Sequence, residues 1–188
     1  QVRTGHFSIN PQRLYAMLVA AIQFATAIYI ASHGTFTKDS GLEQTLPWLN
    51  EIGIQLQLRL DSISVWFILL SGFVSFAVLG LKGTWYRKQA RLFTSLAFFL
   101  IFAINTAFLS TNLIVFYLAY EAVFIPMIIM VGIWGTNTKA ASVFRFFLMS
   151  FFGSILMLVS IFYLSYLNFT KSGAFSTNLN DLIKLAND

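Results

Sequence analysis

The sequence predicts an all-α polytopic membrane protein, because its composition and its apolar runs both point to this class. Hydrophobic residues make up 57% of the 188 residues and charged residues only 10%, too few polar groups to cover a soluble domain. Five apolar runs have about the 20 residues that a helix needs to cross the hydrocarbon layer. Backbone groups in lipid must be paired within their own segment, so we expect a bundle of five helices. They occupy residues 14–32, 63–81, 92–110, 112–134 and 146–167 of a single membrane domain, residues 1–188.

The connection between the first two spans carries turn and capping signals. Residues 33–62 contain several turn-forming residues and one run of alternating polar and apolar residues, so we expect a loop that holds a short strand. Asp61 and Ser62 precede the second span and are expected to cap its first turn. The turn-forming residues are Gly34, Gly41, Pro47 and Gly53, and the alternating run is Gln55-Leu-Gln-Leu-Arg-Leu60.

The third and fourth spans are separated only by Thr111, so their helices must form a tight hairpin. Residues 168–188 are more polar and form a tail beyond the last span. Apolar residues recur in this tail at helical spacing and predict an amphipathic helix that lies on the surface. They are Leu179, Leu182, Ile183 and Ala186.

Lysine and arginine are divided eight to four between the two sides of the predicted bundle. By the positive-inside rule, the N-terminus and residues 82–91 face the matrix or cytoplasm, while the loop 33–62 and the tail face the outer compartment. We interpret residues 82–91, with Trp85 and Tyr86 at the interface, as a topological signal rather than a lipid-headgroup site. The inner residues are Arg3, Arg13, Lys82, Arg87, Lys88, Arg91, Lys139 and Arg145, and the outer ones are Lys38, Arg59, Lys171 and Lys184.

Residues that bind redox cofactors are scarce. The chain has no cysteine, which excludes iron–sulfur ligation and thiolate metal sites. Its two histidines, His6 and His33, lie outside the predicted spans, so paired ligands for a b-type haem are missing as well. The sequence also has no Gly-rich phosphate loop and no basic nucleic-acid face. We therefore expect no cofactor, no metal and no nucleic-acid partner on this chain.

Glu121 is the only charged residue inside the five predicted spans. At ~1.5 Å of rise per residue it stands ~14 Å from one end of its apolar run and ~20 Å from the other, close to the middle of a ~30 Å hydrocarbon layer. An acid at this depth normally faces protein or a wet cavity and pairs with a base or carries a proton. We expect Glu121 to handle protons or ions, against the alternative of a neutral structural glutamic acid.

Two residues near Glu121 are candidate parts of the same site. Pro126 cannot donate to the carbonyl of Ala122, so the helix is expected to bend or loosen beside the acid. Tyr117 lies one turn before Glu121 on the same face and is a candidate hydrogen-bond neighbour, although an aromatic at this spacing more often serves packing.

Uncharged polar and small residues at span depth are expected to join helices. Gln23 and Asn105 belong to the first group and are interpreted as hydrogen-bonding links between helices. Serines one helical turn apart belong to the second group and allow close helix approach; they are Ser71 with Ser75, and Ser150 with Ser154.

The segment around Glu121 resembles a known family. The run Asn112-Leu-Ile-Val-Phe-Tyr-Leu-Ala-Tyr-Glu-Ala-Val-Phe-Ile-Pro-Met127, followed by Ile133-Trp-Gly135, is similar to subunit 4 of proton-pumping NADH:ubiquinone oxidoreductase, respiratory complex I. Residues 145–158 resemble the family's next helix, and Leu60-Asp-Ser-Ile-Ser64 resembles its Asp-Gly-Ile/Leu-Ser helix start. These motifs follow the family's order and spacing, and the resemblance covers most of the chain.

The chain departs from this family in residue type and in extent. Ser62 stands where the family usually has Gly, and Arg145 where it usually has Lys. The family's first helix, and all of its segments after the sixth helix, have no counterpart in these 188 residues. The segments without a counterpart include a broken seventh helix, whose lysine pairs in the family with the equivalent of Glu121.

The resemblance implies a mechanism and a set of partners. Glu121 would form a buried ion pair with that lysine, and the pair would open and close as quinone reduction elsewhere drives the complex. Arg145 and Lys139 are candidate charges on the inner side. NADH, flavin, iron–sulfur clusters and ubiquinone would be bound by other subunits. The expected partners are those subunits, among them a chain that supplies the C-terminal part of subunit 4, and membrane lipid.

Three points stay open at the level of sequence. The 21 phenylalanines and the missing cysteines favour the mitochondrial inner membrane, and a bacterial plasma membrane is the alternative. The same pattern resembles plastid NAD(P)H dehydrogenase subunits and the subunits of cation/proton antiporters. A purely structural membrane subunit is the remaining alternative, whereas a substrate-binding transporter is disfavoured because no second charge lies in the predicted spans.

Overall fold

The computed structural model describes residues 11–33, 42–49, 54–80, 89–135, 139–173 and 175–187. The predicted interfacial residues Trp85 and Tyr86 lie outside this part of the chain. In chain order the elements are α1 (Pro11–His33), β1 (Leu42–Leu49), β2 (Ile54–Leu60), α2 (Ser62–Gly80), α3 (Ala90–Leu109), α4 (Leu113–Trp134), α5 (Lys139–Ser172) and α6 (Leu179–Asn187).

The predicted all-α membrane bundle is confirmed, since α1 to α5 are each long and apolar enough to cross a membrane. The predicted tail helix is present as α6, with Leu182 buried and Leu179 and Ile183 exposed. Backbone hydrogen bonds join β2, the α3–α4 turn and the segment that enters α6, and β1 pairs with β2, so these elements share one end of the bundle. We call this end the hairpin side.

Glu121 is the only charge in the predicted spans, but the helices of the structure are longer than those spans and include further charges. Helix α1 includes Arg13, α3 includes Arg91, and α5 includes Lys139, Arg145 and Lys171. The physical reason is length, because the 34 residues of α5 extend ~51 Å, well beyond a ~30 Å hydrocarbon layer. Basic side chains near helix ends can reach the interface, so Glu121 remains the charge at mid-span.

The loop between α1 and α2 holds two strands where the sequence predicts one. β1 and β2 pair antiparallel, with Leu42 opposite Leu60 and Pro47 opposite Gln55. Pro47 lies inside β1, and proline normally argues against a strand because it cannot donate to the ladder. An edge strand tolerates it, and β1 is an edge strand of this two-stranded sheet.

Helices α1 and α2 pack closely through small residues. Ala16, Ala20 and Ala27 of α1 are buried, and a Cβ added to Gly72 of α2 would lie 3.2 Å from the Cα of Phe24. Such contacts are typical of helix association in membranes, where small residues let backbones approach.

A polar link joins three helices beside this contact. The Gln23 amide donates to the Ser71 hydroxyl at 3.5 Å, and that hydroxyl donates to the Asn105 Oδ1 at 2.6 Å. The sequence-based interpretation of Gln23 and Asn105 as links between helices is confirmed, and Ser71 is the residue that connects α1, α2 and α3.

Asp61 caps α2, as the sequence predicts. Its carboxylate accepts the Ser64 backbone N–H at 2.7 Å, and its own carbonyl accepts the first helical N–H, from Val65. Burial would raise the pKa of Asp61, but hydrogen bonds from Ser64 and Ile63 and the charge of Arg59 outweigh it and lower the pKa below its usual value. A lowered pKa means that the folded state favours the ionised cap.

We expect Asp61→Ala to lower the free energy of unfolding by roughly 0.5–2 kcal/mol at neutral pH, the usual effect of losing an N-cap. The charge-dependent part is fully present above the ordinary aspartate pKa of about 3.9 and is lost as the pH falls through the lowered folded-state value. Asp61→Asn is the matched control, since it keeps a capping oxygen without the charge. Thermal unfolding measured across this pH range checks both effects, and an equal acid dependence in native protein and Asp61→Asn would contradict the assignment.

Candidate functional site around Glu121

Glu121 lies in the interior of α4, between Leu113 and Trp134. The residue is half-buried, but its Oε1 atom is fully buried and has no hydrogen-bond partner within the described part of the chain. A polar oxygen removed from water without a partner is costly, and an ionised one is far more so. The arrangement leaves one oxygen of the acid available to a proton, a water molecule or a cation from outside these helices.

Aromatic side chains line the helix face next to Glu121. Phe116 stacks on Tyr120 with ring centroids 6.4 Å apart, and Tyr120 meets Phe124 edge to face at 5.1 Å. Phe124 then contacts Phe146 of α5 at 6.0 Å. Residues four apart share a helix face, so this row lies along one flank of the acid and joins α4 to α5.

Tyr117 and Pro126 occupy the positions that the sequence predicts, but the acid's buried oxygen contacts neither through a hydrogen bond. Tyr117 is half-buried one turn before Glu121. Pro126 is almost wholly buried inside α4, which stays helical through it. Proline has no N–H, so the Ala122 carbonyl lacks its usual helical donor one residue from the acid. The predicted loosening of the helix stays a prediction.

Arg145, one of the two predicted inner-side charges, does not bind the buried oxygen of Glu121. Arg145 is exposed on α5, and Oε1 has no partner among the described residues. Lys139 is the first residue of α5, and its side chain lies outside the described part of the structure. The roles of both residues stay predictions.

An apolar cavity of about 290 Å³ lies between α2 and α3, with Met130 of α4 at its wall. Ser71 and Ser75 line it, but both hydroxyls already donate, to Asn105 and to a backbone carbonyl respectively. Glu121 is not among the lining residues. The cavity therefore offers no polar route to the acid.

The structure also shows a polar cluster at the first turn of α4 that the sequence interpretation missed. Asn112 caps α4 and is hydrogen-bonded to Thr177, and Asn178 is hydrogen-bonded to Gln57. An asparagine directly before an apolar run is a capping signal that could have identified Asn112. Its partners are too distant in sequence for any periodic pattern to reveal.

Comparison with known proteins finds similarity to membrane subunits of quinone oxidoreductases and antiporters. Residues 110–187 match the family described as "NADH:quinone oxidoreductase/Mrp antiporter, TM". The chain is 30% identical over 176 residues to NADH-quinone oxidoreductase subunit M of Rickettsia prowazekii, a match that covers 89% of this chain and 34% of that protein. It is 30% identical over 157 residues to the chloroplastic NAD(P)H-quinone oxidoreductase chain 4 of Mesostigma viride, covering 80% of this chain and 30% of that one.

The fold has a counterpart in a solved structure, respiratory complex I from Thermus thermophilus with bound NADH. The TM-score is 0.73 at 24% sequence identity, and the match covers 93% of this chain and 35% of the complex I chain. The chain is thus a multi-pass membrane protein with the antiporter-like fold, similar to complex I membrane subunits. It spans about a third of the length of the curated relatives described above.

Proposed function

We propose that this chain forms part of a proton-translocating, antiporter-like subunit of an NADH:quinone oxidoreductase, equivalent to subunit 4 or bacterial subunit M. The observation that carries the proposal is the Oε1 atom of Glu121, buried at mid-span without a hydrogen-bond partner among the described residues. An intramembrane acid of this kind is a functional-site hypothesis by default. The similarity to subunit M and chain 4 of quinone oxidoreductases supports the type of complex.

The chemistry of the site follows from how a buried carboxyl group responds to charge. Desolvation favours the neutral acid, and a cation brought within a few ångströms favours the carboxylate. A base that approaches the acid therefore releases a proton from it, and a base that withdraws lets it bind another. Glu121 alternates between these states as the base moves, and the aromatic row of Phe116, Tyr120 and Phe124 lies along one flank of the acid.

The base comes from outside the described helices. We assign it to a lysine on a broken helix of the same fold, outside residues 1–188. NADH oxidation and quinone reduction take place on other subunits. The membrane is the mitochondrial inner membrane or, as the alternative, a bacterial plasma membrane.

A second candidate function is a subunit of a multisubunit cation/proton antiporter. The family that matches residues 110–187 includes Mrp antiporters by its description. A mid-span acid could carry protons in an antiporter as well as in a quinone oxidoreductase. A purely structural scaffold subunit is the third hypothesis. This hypothesis requires Glu121 to remain protonated throughout turnover.

Purification of the tagged chain from its native membrane in mild detergent tests the proposal. We expect it to bring down subunits that oxidise NADH and reduce quinone, together with a polypeptide that supplies the lysine helix. The reason is that a mid-span acid whose buried oxygen has no partner among the described residues needs one from outside them. Recovery of antiporter subunits without an NADH-oxidising module would favour the second candidate. Recovery of the chain alone as a functional monomer would refute both.

A further inference from the structure

Four side chains on the hairpin side join three distant segments of the chain. They are Gln57 of β2, Asn112 before α4, and Thr177 and Asn178 before α6. We call this group the latch. The latch lies at the N-terminal end of α4, ~12 Å along the helix from Glu121.

Asn112 is the centre of the latch. Its side-chain Oδ1 accepts the backbone N–H groups of Ile114 at 3.0 Å and Val115 at 3.4 Å, and the Thr177 hydroxyl at 3.2 Å. Asn112 is only 3% exposed and Thr177 only 2%. The same oxygen thus fixes the first turn of α4 and binds the segment that enters α6.

Backbone hydrogen bonds reinforce this contact. The Leu113 N–H donates to the Thr177 carbonyl at 2.9 Å, and the Leu179 N–H donates to the Thr111 carbonyl at 3.0 Å. These two bonds make Asn112 and Asn178 an antiparallel bridge. The first turns of α4 and α6 are therefore held side by side.

The antiparallel pair β1–β2 is attached to the same point through Gln57 of β2. The Thr111 N–H donates to the Gln57 carbonyl at 3.1 Å, and the Asn178 amide donates to the Gln57 side-chain oxygen. A shift of α4 along its axis by a single residue, ~1.5 Å, would stretch bonds to both segments at once. Buried donors and acceptors separated in this way would lose partners that water does not replace.

We propose that Asn112 and Thr177 are positioning residues that hold Glu121 at a fixed depth, so that the acid and its base separate by movement of the base and not of α4. This inference rests on the proposed function of Glu121. At the opposite end of α4, Trp134 contacts Phe93 of α3 edge to face at 5.4 Å. Helix α4 is thus anchored at both ends, while the base proposed for Glu121 lies outside the described helices.

A reversible cross-link tests whether the latch stays closed during turnover. Thr111 and Leu179 flank the Asn112–Asn178 antiparallel bridge and are joined by one backbone hydrogen bond. Their backbones are therefore in direct contact, as a disulfide with its ~4.4–6.8 Å between Cα atoms requires. The chain has no cysteine of its own. The double variant Thr111→Cys/Leu179→Cys therefore adds one defined pair, and the two single variants serve as controls within the intact complex.

We expect the oxidised double variant to translocate protons at the same ratio to electrons as its reduced form. Loss of translocation on oxidation, restored by reductant and absent in the single variants, would overturn the inference because it would mean that the latch opens. Failure of the pair to cross-link would also overturn it. Neither result depends on whether Glu121 itself carries the proton. The Glu121→Gln variant tests that separate question.

Thr177→Val tests the positioning role by removing one hydroxyl at nearly constant volume. We expect the pH profile of proton translocation to shift, with Thr177→Ser restoring the native profile. Thr170→Val is the matched control, because Thr170 is an exposed α5 residue whose hydroxyl bonds only its own helix, at Leu167. Identical pH profiles in Thr177→Val and Thr170→Val would show that the hydroxyl of Thr177 does not position the acid.

Discussion

Glu121→Gln is expected to assemble normally and to lower proton translocation and the coupled quinone reduction by about tenfold or more, a barrier change of at least ~1.4 kcal/mol. Glutamine keeps the shape and polarity of the side chain but cannot ionise. The buried Oε1 atom would remain an acceptor while the proton-binding chemistry is lost. The measurement is the ratio of protons translocated to electrons transferred, in proteoliposomes that contain the whole complex.

Tyr117→Phe is the control for this substitution. It removes a hydroxyl one turn from Glu121, but that hydroxyl gives no hydrogen bond to the buried oxygen, so we expect a much smaller effect. If Glu121→Gln assembled normally and kept the native proton-to-electron ratio, only a structural role would remain for the acid.

Gly72→Leu is expected to give the largest loss of stability. Even a Cβ at Gly72 would lie 3.2 Å from the backbone of Phe24, so a leucine side chain must push α1 and α2 apart. Overpacking of this kind typically costs ~1–3 kcal/mol. The separation would also break the bond between Gln23 and Ser71, which is already long at 3.5 Å. The measurement is the amount of assembled chain in membranes and its resistance to thermal unfolding.

Gly153→Leu is the matched control, since a Cβ at this helical glycine of α5 meets no side chain and no other helix within 4 Å in the described part of the chain. Both variants add the same side chain to a spanning helix and raise its helix propensity. We expect Gly153→Leu to assemble at native levels. Equal loss in both variants, or normal assembly of Gly72→Leu, would contradict the assignment of Gly72 as the close-approach point between α1 and α2.

The spanning helices are predictable from sequence because lipid dictates their minimum length and their apolar surface. The ends of α5 are not, since helical structure continues past the hydrocarbon layer into Lys139 and Ser172, where hydropathy gives no signal. The first strand escapes prediction because Pro47 lies inside it. Asp61 is predictable as a cap because that hydrogen bond is local and joins residues three apart.

The candidate site likewise contains residues that the sequence identifies and residues that it does not. A lone acid in an apolar run identifies Glu121 from sequence, and the buried Oε1 is consistent with that reasoning. The latch was not predictable, because Gln57 and Asn178 are 121 positions apart and neither lies in a motif. The geometry of Arg145 was not predictable either, since its exposure depends on which face of α5 contacts α4.

Infrared difference spectroscopy of the whole complex can detect whether Glu121 changes its protonation state during turnover, as we claim. When quinone reduction is triggered, we expect a carboxylic acid C=O band to change intensity in the native protein. The band should be absent in Glu121→Gln and retained in Tyr117→Phe. An identical set of carboxylic acid bands in native protein and Glu121→Gln would contradict the claim.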